Sequence, residues 1–127
     1  MNKAEIIGRL QELAFDSREY WLITGAAMVL YGLKDETCDI DLGCSRGLAD
    51  ELENRGYQSV FSHGKRKFII GDDVEIMEDF PQDRCVVKMG EFPLLSLESL
   101  LDLKEKMNRE KDQADIVLLK RHLKHEG

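Results

Sequence analysis

The sequence contains no repeat, no linker and no low-complexity tract, and its 127 residues include only two prolines. No apolar run approaches the roughly 20 residues of a membrane span, and the first residues lack the apolar segment of a signal peptide. Three cysteines, Cys38, Cys44 and Cys85, form an odd set without a CxxC pair, which favours free thiols over a disulfide framework. These absences predict a soluble, cytoplasmic protein that does not insert into membranes.

Basic residues are outnumbered, with 18 Lys and Arg against 25 Asp and Glu and a net charge of -7. This balance argues against a protein whose main role is to coat nucleic acid. Clustered carboxylates, however, are what a magnesium site is made from, so the positions of the acidic residues matter more than their number. With 43% hydrophobic residues in a chain of this length, we expect one domain over residues 1–127.

Hydrophobic periodicity predicts helices and strands in a mixed order. We expect a helix over 3–15, a strand over 20–24, a helix over 26–33, a strand over 39–44, a helix capped by Ser45 that ends near Asn54, a meander of hairpins over 57–89, and two helices over about 97–123, the first capped by Ser96. The predicted class is therefore α+β, a mixed sheet flanked by helices, with a core at about 20–90 and a C-terminal helical pair.

The segment Asp39-Ile40-Asp41 is the most informative part of the chain. On a strand, residues i and i+2 share a face, so Asp39 and Asp41 would project side by side while Ile40 enters the core. Two adjacent carboxylates repel each other, and a divalent cation such as Mg²⁺ or Mn²⁺ relieves that repulsion. The alternative is that both carboxylates simply lie on the solvated face of an edge strand.

Upstream, Gly25 lies at a predicted turn from strand to helix. Exposed backbone N–H groups and the positive end of a helix favour phosphate at such a turn. Gly25 alone would equally be explained by a tight turn that needs glycine. A phosphate site beside a pair of metal-binding carboxylates favours a nucleotide as ligand.

These residues resemble the signature of the nucleotidyltransferase superfamily, which has the DNA polymerase β-like fold. The signature reads here Ile23-Thr24-Gly25-Ala26, then Tyr31-Gly32, then Thr37-Cys38-Asp39-Ile40-Asp41-Leu42. The resemblance implies Mg²⁺ ions held by Asp39 and Asp41, an NTP whose phosphates lie against Thr24, Gly25 and Ala26, and transfer of a nucleotidyl group to an acceptor hydroxyl. One departure is Ala26, where the family has Gly or Ser.

Such enzymes usually add a third carboxylate from a neighbouring strand, and Glu75 is the best candidate. Its apolar neighbours Val74 and Ile76 would face the core and direct Glu75 to the opposite face. There it would be a metal ligand or the base that takes the acceptor proton. The alternative is an ordinary solvated acidic hairpin.

The C-terminal part carries a second likeness, to small stand-alone nucleotidyltransferases and the AbiEii-type toxin group. It rests on a leucine-rich helix with Lys104, a basic turn at Arg109 to Asp112, and Asp115-Ile116 opening the next helix. The likeness implies that Lys104 contacts phosphate and that Asp115 orients Lys104 or transfers a proton. Read without it, these charges are ordinary solvated pairs on helices.

Together these features predict a metal-dependent nucleotidyltransferase that uses an NTP. The acceptor, whether a small molecule, an RNA or a protein, is not specified, and a second copy of the chain in a homodimer is one source of acceptor surface. The alternative is a catalytically inactive binding module on the same fold, such as a partner in a toxin–antitoxin-type system. The basic cluster Lys65-Arg66-Lys67 is interpreted as keeping a sheet edge soluble, with binding of acceptor phosphates as the alternative.

Overall fold

The computed structural model describes the backbone of residues 1–126 and the side chains of residues 1–124. Over this range the chain forms five α-helices, seven strands and one short 3-10 helix. In chain order they are α1 (Lys3–Leu13), β1 (Tyr20–Ile23), α2 (Thr24–Leu30), β2 (Ile40–Cys44), α3 (Arg46–Asn54), β3 (Ser59–Ser62), β4 (Lys65–Ile70), β5 (Val74–Glu78), β6 (Val86–Met89), β7 (Phe92–Leu95), α4 (Leu97–Met107), the 3-10 helix (Glu110–Asp112) and α5 (Gln113–Glu126).

The strands form a mixed sheet in the order β3-β4-β5-β2-β1-β7-β6. Strand β2 pairs parallel to β5, and β1 pairs parallel to β7, whereas the remaining pairs are antiparallel. The predicted α+β class is confirmed. The chain leaves the middle of the sheet after β2 and returns beside it with β5, which brings residues distant in sequence onto adjacent strands.

Strand β2 occupies the centre of the sheet, so the acidic segment does not lie on an edge strand. Its residues Ile40, Leu42 and Cys44 are completely buried in the main core. Because side chains alternate between the two faces of a strand, Asp41 and Gly43 project from the other face. The two-residue period read from the sequence therefore separates a core face from the face that carries Asp41.

Both predicted serine caps are confirmed. The Ser45 side chain accepts a hydrogen bond from the Leu48 backbone N–H, and Ser96 accepts one from Ser99. Each bond satisfies an N–H group that has no partner within its own helix. The serines therefore fix the starts of α3 and α4.

The predicted meander of hairpins is correct for β3, β4 and β5 and wrong for the last strand. Strand β6 pairs with β7 at the opposite edge of the sheet. The sequence analysis missed β7 because its four residues contain Pro93 and run directly into the leucine-rich helix α4. Strand β7 nevertheless lies next to β1, where Leu94 pairs with Leu22 and both are buried.

Within residues 1–126, no helix is both long enough and apolar enough to cross a bilayer.

Candidate functional site

The structure brings Asp41 and Glu75 together. They are direct partners in the parallel pairing of β2 with β5. Adjacent strands lie about 4.8 Å apart and paired residues point to the same side, so the two carboxylates share one face of the sheet. The Glu75 side chain is 42% exposed, and Lys67 on β4 lies 3.5 Å from its Oε1. Glu75 thus occupies the neighbouring-strand position expected of a third carboxylate.

Asp41 lies in an environment that opposes its negative charge. Burial raises the pKa of Asp41, and the charges of Glu75 and Asp39 raise it further. A hydrogen bond from Thr24 Oγ1 to Asp41 Oδ2, 2.8 Å long, and the more distant Lys67 act in the opposite direction. The net direction is upward because burial and the neighbouring carboxylates outweigh the hydrogen bond from Thr24 and the charge of Lys67.

Asp39 is exposed and lies just before β2, which begins at Ile40. The strand was expected to include it. Asp39 is nevertheless close enough to Asp41 for its charge to raise the Asp41 pKa. The two aspartates therefore form one acidic group at the start of the central strand.

The acidic residues of this site have the chemistry of ligands for a divalent cation. Among the described residues, no three His, Cys, Asp or Glu side chains converge into a ready-made metal site. Asp41 and Glu75 are paired carboxylates, and hard oxygen ligands of this kind suit Mg²⁺, which proteins usually hold through one or two carboxylates together with substrate phosphates. The Asp41–Glu75 pair therefore fits a cation that shares its ligands with a bound nucleotide.

Helix α2 begins beside this pair at Thr24, two residues earlier than expected. The left-handed residue at its start is Thr24, with φ 53°, and not Gly25. A β-branched residue rarely adopts this conformation, and local strain of this kind often accompanies a functional site. In this backbone conformation, the Thr24 hydroxyl donates its hydrogen bond to Asp41 Oδ2.

Gly25 and Ala26 are explained by packing. A Cβ atom at Gly25 would collide with the side chain of Thr37, so glycine is required there by close approach. Ala26 is completely buried in the main core. The side-chain hydroxyl at this turn therefore comes from Thr24, although the family signature places a Gly or Ser at position 26.

Lys104 is buried in a network of charges between α4, the 3-10 helix and α5. Its side chain is 6% exposed, and its Nζ donates to Asp112 at 3.1 Å and to Asp115 at 3.0 Å. Both carboxylates accept hydrogen bonds from the Lys104 ammonium. Asp115 also lies 3.4 Å from Lys34, and its position agrees with the implied role of Asp115, which is to orient Lys104.

Arg109 is a candidate site residue that the sequence analysis did not identify. Its side chain donates two hydrogen bonds to Asp112, and it lies near enough to Asp41 for that carboxylate to contribute to the raised pKa of Arg109. The Arg-x-x-Asp spacing across a helical turn was the available signal, since residues three apart are neighbours there. Nothing in that spacing indicates that the turn faces β2.

The interpretation that Lys65-Arg66-Lys67 keeps a sheet edge soluble is wrong. These residues lie on β4, which β3 covers. Each cation has a carboxylate partner: Lys65 pairs with Asp79 at 2.7 Å, Arg66 with Glu78 at 2.6 Å, and Lys67 with Glu75 at 3.5 Å. The cluster therefore balances the acidic residues of β5 and the turn that follows it.

A comparison with known structures gives a fold assignment. The chain superposes on the crystal structure of a candidate nucleotidyltransferase, TM1012 from Thermotoga maritima, with a TM-score of 0.63 and 20% identity. The match covers 98% of this chain and 96% of that one. No family model and no curated protein sequence matches the chain. The chain therefore has a nucleotidyltransferase-like fold.

Proposed function

We propose that this protein is a divalent-metal-dependent nucleotidyltransferase that transfers a nucleotidyl group from an NTP to an acceptor hydroxyl. The observation that carries the proposal is the register of Asp41 with Glu75 on two central parallel strands, with Thr24 at the start of α2 bonded to Asp41. An edge strand with a solvated acidic face does not explain a central, partly buried carboxylate whose pKa is raised.

Asp41 and Glu75 would hold the metal, and the exposed Asp39 beside them would be a further ligand. Bound there with the nucleotide, Mg²⁺ would neutralise charge that develops on the α-phosphate and lower the pKa of the acceptor hydroxyl. Thr24 fixes the orientation of Asp41 through its hydrogen bond. In the alternative role for Glu75, this more exposed carboxylate would not hold the metal and would accept the acceptor proton as a general base.

The start of α2 would receive the phosphates, with the backbone around Gly25 supplying N–H donors. Lys104 would support this arrangement from within the core, with Asp115 orienting it. The inactive-module alternative depended partly on Ala26. The Ala26 side chain lies entirely in the core, and Thr24 supplies a hydroxyl at the same turn, so Ala26 alone does not favour lost catalysis.

The test is thermal unfolding with Mg²⁺ and each NTP in turn. We expect a rise in Tm that requires both ligands, because a ligand that binds only the folded state stabilises it. Asp41→Asn and Glu75→Gln should abolish the rise, whereas Glu51→Gln, on the exposed surface of α3, should retain it. A wild-type protein that shows no shift with any Mg²⁺-NTP pair would contradict the proposal and support the binding module.

Transfer is measured by incubating the protein with α-labelled NTP and separate pools of RNA, protein and small metabolites. We expect label in one pool and release of pyrophosphate, both reduced at least about 100-fold in Asp41→Asn. Nucleotide binding without transfer to any pool would contradict the enzymatic part of the proposal. Light scattering of the same sample tests whether a second copy of the chain takes part.

A further inference from the structure

The guanidinium of Arg109 has one nitrogen, Nη1, that is not used within the protein. Its Nε donates to Asp112 Oδ2 at 2.7 Å, and its Nη2 donates to Asp112 Oδ1 at 3.0 Å and lies 3.8 Å from Met107 Sδ. The Arg109 side chain is 40% exposed. Among the side chains of residues 1–124, none accepts a hydrogen bond from Nη1. Nη1 is therefore available to a ligand.

The carboxylate that holds Arg109 is itself held rigidly. Asp112 is completely buried, and its Oδ1 also accepts a hydrogen bond from Lys104 at 3.1 Å. Hydrogen bonds from two cations to both oxygens of one buried carboxylate leave it little rotational freedom. Because a guanidinium bound through two parallel N–H groups has a defined plane, the direction in which Nη1 points is defined as well.

The network carries more positive than negative charge. Lys34, Lys104 and Arg109 face the two carboxylates of Asp112 and Asp115. Of the three cations Arg109 is the most exposed, at 40% against 33% for Lys34 and 6% for Lys104. The surplus positive charge therefore meets solvent at Arg109 and Lys34, and not at Lys104.

The Arg109 end of the network lies within electrostatic reach of the acidic site. Asp41 contributes to the raised pKa of Arg109, after the hydrogen bonds and charge of Asp112. A cation beside paired carboxylates is the arrangement that a polyphosphate with a divalent ion would complete, since the ion occupies the carboxylates and the phosphate oxygens face the guanidinium.

We propose that Arg109 binds the phosphate chain of a nucleoside triphosphate through Nη1, and that Asp112 and Lys104 are the residues that position it. This inference rests on the proposed nucleotidyltransferase function. It assigns the direct phosphate contact to Arg109, whereas the sequence likeness assigned it to Lys104. Lys104 then acts from the core by holding Asp112.

The experiment compares wild type with Arg109→Gln and Arg109→Lys, using Lys111→Gln as a control at an exposed position in the same turn. Calorimetry with Mg²⁺ measures the Kd of an NTP, of its nucleoside monophosphate and of inorganic tripolyphosphate. Loss of one charge-assisted hydrogen bond should weaken NTP and tripolyphosphate binding by about 10- to 100-fold in Arg109→Gln. Binding of the monophosphate should change little, and Lys111→Gln should match wild type.

A purely structural role for Arg109 would lower the Tm of the free protein but leave the ratio of NTP to monophosphate affinity unchanged, which would overturn the inference. If Arg109→Gln does not fold, Arg109→Lys carries the test, because it keeps the charge and loses the paired bonds, and an intermediate NTP affinity is expected. Tripolyphosphate binding that depends on Arg109, without NTP binding, would support this anion site and contradict the nucleotidyltransferase. Binding of neither ligand by wild type would overturn both.

Discussion

At the residue scale, burial divides the three thiols into two classes. Cys44 lies on the core face of β2 with no exposed surface, whereas Cys38 and Cys85 are exposed. Burial raises the pKa of the Cys44 thiol to about 12. Because the thiolate is the reactive form of cysteine, Cys44 is protected both by its high pKa and by the surrounding core.

We therefore predict that iodoacetamide at pH 8 labels two cysteines of the native protein and three of the denatured protein. Peptide mass spectrometry should place the two native labels at Cys38 and Cys85. Labelling of Cys44 should proceed only at the rate of unfolding. Equal labelling of all three positions in the native protein would show that β2 is not packed as described.

Residue identity was enough to locate some site residues and not others. The alternation of Asp39 and Asp41 with Ile40 is local, and the structure places Ile40 in the core. The pairing of Asp41 with Glu75 depends on a parallel crossover, which local patterns do not encode. Similarly, the leucine spacing of α4 predicted its apolar face and gave no sign that Lys104 is buried.

At the element scale, tight packing fills the space above Gly43, which lies on the same face of β2 as Asp41 and two residues after it. Gly43 pairs with Trp21 on β1, and the Trp21 indole N–H donates to the Phe80 carbonyl at 2.8 Å. A Cβ atom at Gly43 would collide with both the indole and that carbonyl. The strand therefore needs glycine at this position because no space remains for a side chain.

The Gly43→Ala substitution should lower the free energy of unfolding by about 1–3 kcal/mol or more, because an overpacked site has to shift backbone as well as side chains. Gly47→Ala is the matched control: it lies in α3, where the nearest atom to an added Cβ is Ser45 Oγ at 3.8 Å. There alanine should raise stability by about 0.5–1 kcal/mol. Urea denaturation measures the free energy of unfolding of both variants. A Gly43→Ala protein as stable as wild type would contradict the packing described around Gly43.

The boundaries of most elements followed from short-range signals such as the serine caps and the apolar stripe of α1. Strand β7 did not, because a proline within four residues usually argues against a strand inside a sheet. Its position beside β1 results from packing of Leu94 and Leu95 into the core, where both are completely buried. The free energy of that burial decides the structure where local propensity does not.

At the scale of the whole molecule, buried and partly buried ion pairs join α4, the 3-10 helix and α5 to one another, and the pair of Lys34 with Asp115 links them to the segment after α2. Arg109 and Lys104 together lower the pKa of Asp112 to about 2. Because this folded-state pKa lies below the ordinary value of 3.8, the carboxylate adds stability above about pH 4. That contribution disappears as the pH falls from about 4 through about 2.

We expect the free energy of unfolding to fall over this pH range, with about 2 kcal/mol of the loss due to Asp112. Asp112→Asn, although less stable at neutral pH, should show a correspondingly smaller acid loss. Glu110→Gln, which is exposed in the same turn, should keep the wild-type slope. Denaturant titrations at intervals from pH 5 to pH 2 measure the slopes, and identical slopes for wild type and Asp112→Asn would contradict the assigned pKa.

The packing around Trp21 also gives the protein a built-in optical probe. Trp21 is the only tryptophan in the sequence, it is 5% exposed, and the Arg84 guanidinium lies 4.0 Å from the centre of its ring. It is paired with Gly43, two residues along the strand from Asp41. Intrinsic fluorescence excited at the indole band therefore arises from a single position next to the acidic site, so ligand titrations can be followed there without any added label.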